Sequence, residues 1–422
     1  MAETCGPTRA EVRCPPAVRG GNALAERLFD RAAEATADST PPGASAVPAA
    51  EMMLVFVSMF APTGQGGIRA YHLDPASGAV SAPRSTANVP HPFFLAVHPD
   101  RRTLYSIRAE KFGSPDREEV VAWRIVDFDG RLDEIGRQPS HGSASCYLDV
   151  DPTGRSLLMA GYSSGNVASF PIESDGRLGL AVSLIAHRGS GPDEKRQDKP
   201  HAHSIIAVPT AKAGMLAYAA DLGTDQVLCY HLDPAAARLT PADPPSASTP
   251  PGAGPRHLAL HPDGKSLSAV NELATPVTVF DREVDTGRLT AGPTVSTLPA
   301  DFTGTSHCAD VKLTPDGRFL YATNRGHDSI AIFRVGDRGR LERLAITPSL
   351  GAGPQNLAIT PDGGLLLCAN MPGDNLVVFR IDRGTGSLAV VGEPLAVEGP
   401  ACIQLIGRAS FDARPAGVKP GP

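Results

Sequence analysis

The sequence lacks several features that would place it in a common protein class. Its seven cysteines include no CxxC pair, which argues against a zinc ribbon or a thioredoxin-like redox site. No apolar run reaches the 18 residues of a transmembrane helix, and the longest, 52–61, has the length of a strand. The net charge of −6 offers no basic footprint for nucleic acid. We therefore expect a soluble protein with neither a nucleic-acid nor a membrane partner.

The N-terminal region also lacks a secretory pattern. The first 20 residues carry charges and prolines but no apolar segment, so no signal peptide is predicted. Most cysteines lie inside apolar stretches, where a free thiol behaves as a small hydrophobic group. A reducing compartment fits this pattern, and the cytoplasm is the expected location.

Glycine and proline are abundant, and a repeat is present. Gly 43 and Pro 40 make up about a fifth of the chain, which disfavours long helices and favours tight turns. An alternating strand that ends in an aromatic residue occurs seven times, with spacings between 46 and 60 residues. The aromatic residues are Tyr71, Trp123, Phe170, Tyr230, Phe280, Phe333 and Phe379. This period predicts an all-β, seven-bladed β-propeller with about four strands in each blade.

The ends of the repeat region indicate how the propeller closes. The first copy lacks an inner strand, whereas GPACIQLI at 399–406 resembles an inner strand with no partner after it. The C-terminal strand is therefore predicted to complete the N-terminal blade, which removes two exposed sheet edges. The predicted organisation is a flexible extension with a possible short helix at 1–51, the propeller at 52–407, and a flexible tail at 408–422.

A turn written HPDG, TPDG or similar follows the first strand of most blades and gives a reference point. Six residues before the turn proline stand Phe93, Cys146, His203, Arg256, Ala309 and Gln355, with Ala401 at the matching C-terminal place. Ten residues after it, or thirteen where the turn is longer, stand Ala109, Tyr162, Leu222, Glu272, Arg325 and Met371. Because inner strands line the channel of a propeller, these two sets predict two rings of side chains near its mouth.

The polar members of both rings fall in three consecutive blades. His203, Arg256, Glu272 and Arg325 are predicted to share one sector of the mouth, joined by His201, Asp221, Asn271 and Asn324. Charged groups at such positions are costly unless they are paired or used, which makes this sector the candidate site. Alternatively, Glu272 pairs with Arg256 or Arg325 only to hold neighbouring blades together.

The other candidate chemistries have weaker support. His201 and His203 are two residues apart, as metal ligands on one face of a strand can be, but no further ligand stands at a familiar spacing. We therefore predict neither a metal nor another cofactor. Cys146 lies at channel level without a sequence-adjacent base, so no catalytic thiolate is expected. His257 and His261 are assigned to packing and to the turn.

Several segments resemble the lactonase family of seven-bladed propellers, which includes bacterial 6-phosphogluconolactonases and the fungal carboxy-cis,cis-muconate cyclase. These segments are HPFFLAVHPD, PHAHS, DLGTDQV, GPRHLALHPDG, VNEL, TPDGRFLY, NRGHDSIAIF and DNLVVFRID. The resemblance implies a metal-independent lactone site made of a histidine, two arginines and a glutamate. By motif these are His201 or His203, Arg256, Glu272 and Arg325. The chain departs from the family pattern at Gln355, where arginine is usual, and at Asp310, where glutamate is more usual.

The expected activity is therefore hydrolysis of a lactone that carries a phosphate or carboxylate. Arg256 and Arg325 would bind the anionic group and stabilise the oxyanion, and His203, or else His201, would be the general base. Glu272 would orient these groups or carry a proton. The predicted substrate-facing residues are Arg256, Arg325, Asp221, Asn271, Asn324 and Gln355. Two alternatives are cyclisation of a muconate at the same site and a non-catalytic propeller that binds a sugar or a protein.

Overall fold

The computed structural model describes residues 51–62, 64–114, 117–274 and 276–413. Most of the predicted N-terminal extension lies outside these ranges, so its possible helix is not addressed. The first residues of the predicted tail form a short helix, α1 (Arg408–Asp412). Its Phe411 is buried and packs against Phe128, so regular structure continues beyond position 407. Among the described residues, no helix has the length and hydropathy required to cross a bilayer.

The described residues from 53 to 407 form seven antiparallel sheets, the seven blades, with 29 strands in all. The strands nearest the channel are β4 (Leu95–Val97), β8 (Ser145–Val150), β12 (Ala202–Pro209), β16 (Pro255–Leu260), β20 (His307–Leu313), β24 (Pro354–Ile359) and β29 (Pro400–Gly407). The second strands are β1 (Met53–Met59), β5 (Thr103–Ala109), β9 (Ser156–Gly161), β13 (Met215–Asp221), β17 (Ser266–Asn271), β21 (Phe319–Arg325) and β25 (Leu365–Asn370).

The outer half of each blade contains the aromatic strand and an edge strand. The third strands are β2 (Gly67–Leu73), β6 (Glu118–Ile125), β10 (Asn166–Pro171), β14 (Gln226–Asp233), β18 (Pro276–Arg282), β22 (Ser329–Val335) and β26 (Asn375–Ile381). The edge strands are β3 (Ser85–Asn88), β7 (Leu132–Pro139), β11 (Ser183–Ala186), β15 (Arg238–Ser248), β19 (Leu289–Ser296), β23 (Leu341–Pro348), β27 (Leu388–Val390) and β28 (Leu395–Ala396). A single 3₁₀ turn, Asp337–Gly339, precedes β23.

The repeated aromatic residues form the core of the blades. All seven are buried, and each lies on the third strand opposite an apolar residue of the second strand. The cross-strand pairs are Tyr71 with Val55, Trp123 with Leu104, Phe170 with Leu157, Tyr230 with Ala217, Phe280 with Leu267, Phe333 with Leu320 and Phe379 with Leu366. The prediction of an all-β, seven-bladed propeller is confirmed.

Blade 1 is closed as the sequence predicts, by a strand from the other end of the chain. β29 pairs antiparallel with β1, with Leu405 opposite Val55 and Ile403 opposite Val57. The blade therefore has the order β29-β1-β2-β3, and blades 2 to 7 follow in chain order. In blade 7 the edge is divided, since β27 and β28 both pair with β26. Closure satisfies backbone groups that two open edges would otherwise expose.

Candidate active site

The channel-facing ring is built on a repeated backbone irregularity. In six of the seven innermost strands, β8, β12, β16, β20, β24 and β29, the register shifts at a β-bulge. The residues that the bulges leave without a cross-strand partner include Cys146, His203, Arg256, Ala309, Gln355 and Ala401. A bulge redirects the side chain that it carries. Each of these blades can therefore direct one side chain into the channel, and the residue type at that position decides the chemical character of the side chain.

Glu272 is the centre of the charged sector. It follows β17, and its backbone N–H donates to the carbonyl of Gly254 at 2.7 Å. Its Oε2 accepts from Arg256 Nε at 2.9 Å and lies 2.9 Å from Arg325 Nη2. Its Oε1 accepts from Arg196 Nη2 at 2.5 Å. One carboxylate therefore faces three guanidinium groups, and the cluster has an excess of positive charge.

The cluster keeps its charges at neutral pH. Burial raises the pKa of Glu272, but the nearby Arg325 and Arg256 outweigh that effect and hold the pKa well below its ordinary value. Burial and then Arg325 lower the pKa of Arg256 to about 10, which still leaves it protonated at pH 7. A carboxylate held in this way is a poor proton carrier at neutral pH, and its contacts partly neutralise the charge of the arginines.

His203 is the histidine that lies closest to this carboxylate. Its Nε2 lies 3.7 Å from Glu272 Oε2, and its Nδ1 lies 3.6 Å from Cys146 Sγ. Burial, and then the charge of Arg256, lower the pKa of His203 well below 6.5, so the imidazole is neutral. The fold thus brings a histidine to Cys146 that spacing along the chain does not reveal. Burial nevertheless raises the pKa of this thiol to about 12, which keeps it protonated.

His201 and Tyr162 border the cluster. The two rings stack with centroids 4.4 Å apart, and His201 Nδ1 lies 2.9 Å from the Tyr162 carbonyl oxygen. The Tyr162 hydroxyl accepts from Arg196 Nη2 at 3.2 Å. His201 Nε2 lies 3.6 Å from the exposed carboxylate of Asp198. Of the two PHAHS histidines, His203 is therefore the one that contacts Glu272.

A second polar group supports Arg256 from behind. Arg256 Nη1 donates to His257 Nε2 at 3.1 Å, and His257 Nδ1 donates to Asp310 Oδ1 at 2.9 Å. Burial and the charge of Arg256 lower the pKa of His257 to about 3, so the ring is neutral and able to accept from the arginine. Asp310 also accepts from Asn356 Nδ2 at 2.8 Å. His257 is buried, as predicted, but it also fixes the orientation of Arg256.

The remaining predicted residues divide into two groups. Gln355 joins the cluster, since its Oε1 accepts from Arg325 Nη1 at 3.3 Å. Asp221 instead bonds to His187, while the amides of Asn271 and Asn324 donate to residues of the third strands of their own blades, β18 and β22. These three side chains are fully buried, and the structure does not bring them to Glu272. Consecutive strand residues point to opposite faces, so the neighbours of ring residues point away from the channel.

Arg196 is the member of the cluster that the sequence analysis missed. It lies in the segment between β11 and β12, outside the repeated strands from which the rings were derived. The signal available in the sequence was length: 60 residues separate Phe170 from Tyr230, the longest spacing in the repeat. An extended loop that carries charged residues and enters the PHAHS strand was a candidate contributor to the site.

The described residues contain no group of three histidine, cysteine or acidic side chains placed to hold a metal ion. Both PHAHS histidines contact the Tyr162 ring, with His201 stacked at a centroid distance of 4.4 Å and His203 edge-on at 5.1 Å. The polar groups nearest to them are the carboxylates of Glu272 and Asp198, the Tyr162 carbonyl oxygen and the Cys146 thiol. The donor set thus differs from the three-ligand arrangement of catalytic zinc sites.

A seven-bladed propeller with a cationic cluster and a neutral histidine at one channel mouth has the features of an enzyme for small anionic substrates. Comparison with known proteins assigns the family. Residues 54–405 match the model of the family described as "Lactonase, 7-bladed beta-propeller". The chain belongs to this family, so the resemblance inferred from its motifs is confirmed.

Two relatives and one solved structure illustrate the match. A 6-phosphogluconolactonase of Bacillus subtilis is 34% identical over 353 residues, which cover 83% of this chain and 97% of the relative. A 6-phosphogluconolactonase of Serratia proteamaculans is 31% identical over 316 residues, covering 74% and 88%. The structure of the Pseudomonas aeruginosa periplasmic gluconolactonase matches with a TM-score of 0.78 and 31% identity, covering 84% of this chain and 99% of that one.

Proposed function

We propose that this protein is a hydrolase that opens the lactone ring of an anionic, sugar-acid-like substrate, with 6-phosphogluconolactone as the first candidate. The observation that carries the proposal is the Glu272 cluster, in which three arginines face a single carboxylate beside a neutral histidine. Excess positive charge favours an anionic substrate and stabilises negative charge that develops on a carbonyl oxygen. The names of the relatives support this activity and give no support to muconate cyclisation.

In the proposed reaction, water attacks the lactone carbonyl carbon while His203 Nε2 accepts a proton from it. Arg325, a quarter of whose side chain is exposed, stabilises the carbonyl oxygen as it becomes negative. The bond from the carbonyl carbon to the ring oxygen then breaks. The ring oxygen takes the proton back from His203 and becomes a hydroxyl, and the carbonyl carbon becomes a carboxylic acid that ionises.

Glu272 has an orienting role in this mechanism rather than a proton-transfer role. The arginines around it favour the ionised form, so it does not hold a proton at neutral pH. Its two oxygens hold in place the guanidinium groups that contact the substrate. Arg256, with about 1% of its side chain exposed, contributes mainly by its charge and by holding Glu272.

The proposal extends to metal independence, domain limits and location. The donor set near His201 and His203 supports a reaction without a metal ion. We place the catalytic unit at 52–407, supported by the family match over 54–405. The free, buried cysteines Cys146, Cys229, Cys308, Cys368 and Cys402 support a reducing compartment, and we propose the cytoplasm.

The test is a hydrolysis assay of the purified protein with 6-phosphogluconolactone, glucono-δ-lactone and a muconolactone, corrected for spontaneous opening. We expect the highest kcat/KM for the phosphorylated lactone, and the same rate after exhaustive chelation. Loss of activity that one divalent ion restores would contradict metal independence. Failure to accelerate the opening of any of the three lactones would refute the lactonase proposal and favour a binding propeller.

A further inference from the structure

The three arginines around Glu272 differ in their exposure. About 1% of the Arg256 side chain is exposed, against 26% for Arg325 and 34% for Arg196. Arg196 is also the only one of the three that comes from a loop between blades rather than from a strand. It is therefore the arginine of the cluster that a ligand entering the mouth reaches most easily.

The hydrogen bonds of these arginines differ as well. Arg325 uses all three nitrogens, with Nε to His307 O, Nη1 to Gln355 Oε1 and Nη2 to Cys308 O. The hydrogen bonds of Arg196 within the described residues both run through Nη2, to Glu272 and to the Tyr162 hydroxyl. Its Nε and Nη1 have no hydrogen-bond acceptor among those residues. The N–H groups of these two nitrogens are therefore available to an anion such as a carboxylate or a phosphate, and hydrogen bonds from a charged donor to a charged acceptor are stronger than those between neutral groups.

The loop that carries Arg196 is anchored rather than loose. The neighbouring Gln197 is fully buried, and its Nε2 donates to Leu222 O and to Asp225 Oδ1, both at 2.8 Å. Asp225 Oδ1 also accepts from the backbone N–H of Gly254 at 2.8 Å, two residues before Arg256. One carboxylate thus connects the loop of Arg196 to the strand of Arg256. Donors that are fixed before binding lose less entropy when they meet a ligand.

We propose that Arg196 is the specificity residue of the site and that the free N–H groups of its exposed guanidinium bind the phosphate or carboxylate of the substrate. Its Nη2 remains on Glu272, which holds the guanidinium in place, while Arg325 is left to stabilise the oxyanion. This inference rests on the proposed lactonase activity and adds to it the group that distinguishes anionic from neutral lactones.

The experiment compares two lactones that share a ring but differ in charge, 6-phosphogluconolactone and glucono-δ-lactone. For Arg196→Gln, we expect KM for the phosphorylated lactone to rise at least tenfold more than KM for glucono-δ-lactone, because the substitution removes the cation and its free donors and only the phosphorylated lactone carries an anion for them to bind. Lys195→Gln is the matched control, since it removes one positive charge from the exposed neighbouring position and should leave both substrates unaffected.

The outcomes separate this inference from the lactonase proposal. An equal rise in KM for both lactones would mean that Arg196 acts only through Glu272. An unchanged KM for the phosphorylated lactone would mean that Arg196 does not bind the anionic group. Either result overturns the inference. If the wild-type protein opens neither lactone, the lactonase proposal fails instead. Calorimetric titration with 6-phosphogluconate and gluconate then tests the same arginine without catalysis. Binding of the phosphorylated acid that Arg196→Gln weakens at least tenfold supports the inference, and unweakened or absent binding overturns it.

Discussion

On one side of the channel mouth, the residues six positions before the turn prolines are His203 and Arg256. In blade 2, the same position holds Phe93, whose ring packs edge-on against Phe60 at 5.2 Å and lies 5.3 Å from Phe112. In blade 1, it holds Ala401. The repeated strands and turns are similar on the two sides, but one side is charged and the other is apolar.

This difference shows how a repetitive fold acquires a single site. In several blades the bulge directs a side chain into the channel. A buried charge is stable there only when an oppositely charged or hydrogen-bonding partner lies within a few ångströms. His203, Arg256 and Arg325 therefore come from three consecutive blades around Glu272. The aromatic group needs no such partners, because it is stabilised by packing. The comparison predicts large effects on turnover for substitutions on the charged side and small ones on the aromatic side.

The largest effect is expected for Glu272→Gln, which leaves three arginines without their carboxylate. We expect kcat for each folded molecule to fall about a hundredfold, the scale of loss when groups that position the substrate are displaced by about 1 Å. KM for an anionic lactone should change less than kcat, because the positive charge of the mouth increases while the arginines lose the carboxylate that fixes them. Steady-state kinetics at matched folded concentration measures both constants.

The control for Glu272→Gln is Glu119→Gln. Glu119 also accepts from two arginines, Arg108 at 2.6 Å and Arg137 at 3.4 Å, but it lies on the third strand of blade 2. Its substitution should leave kcat and KM unchanged. Because Arg256 is buried, Glu272→Gln should also lower the melting temperature, since breaking a buried pair costs about 3–5 kcal/mol. A variant of Glu272 that remains fully active would remove this residue from the mechanism.

The next effect in size is expected for Arg256→Lys. The lysine cannot donate to Glu272 Oε2, the Ala309 carbonyl and His257 Nε2 together, as the arginine does. We expect kcat/KM to fall at least tenfold, which corresponds to about 1.4 kcal/mol of transition-state stabilisation.

Arg282→Lys is the matched control for Arg256→Lys. Arg282 is a buried arginine of the same blade, and it donates to Tyr218 Oη, Gly264 O and Pro209 O at 2.8–2.9 Å. We expect this substitution to lower the melting temperature and to leave kcat/KM of the folded protein unchanged. Equal kinetic losses for the two arginines would indicate a general loss of stability rather than a role in the site.

These contrasts also show which parts of the site were predictable from the sequence. The turn proline located His203, Arg256, Glu272 and Arg325 because the same strand, bulge and turn recur in successive blades. Arg196 was not predictable in this way, because its loop has no counterpart in the repeat. Its position depends on the contact between Gln197 and Asp225, and these residues are distant from Glu272 in the sequence.

The remaining differences follow from side-chain direction and from three-dimensional neighbours. Asn271 and Asn324 were placed in the site because they adjoin Glu272 and Arg325 in sequence, yet strand alternation turns them into their own blades. The contact between Cys146 and His203 joins two blades and has no local signature. Sequence periodicity thus predicted which positions face the channel, whereas the contacts between loops and blades required the structure.

A smaller effect is expected on the aromatic side of the mouth. Phe93→Ala should change kcat/KM for either lactone less than threefold, because no charged group of the cluster contacts this ring. It should lower the free energy of unfolding by less than the ~3–5 kcal/mol typical of a fully buried phenylalanine, since Phe93 is partly exposed. Thermal unfolding and the two-lactone assay measure these quantities. A loss of turnover comparable to that of Arg256→Lys would show that the two sides of the mouth are not functionally distinct.

The smallest expected change is in the pH dependence of the wild-type enzyme. Because burial and Arg256 lower the pKa of His203, its imidazole stays neutral, and available as a base, well below pH 6.5. The value of kcat/KM for glucono-δ-lactone, which has no group that titrates in this range, should therefore change less than twofold between pH 7.5 and pH 6. A base with the ordinary imidazole pKa of about 6.5 would lose activity about fourfold over the same interval. Initial rates corrected for spontaneous opening distinguish the two cases. An acid limb centred near pH 6.5 would exclude the buried His203 as the base, and His201 would then be the next residue to test, by substitution with asparagine.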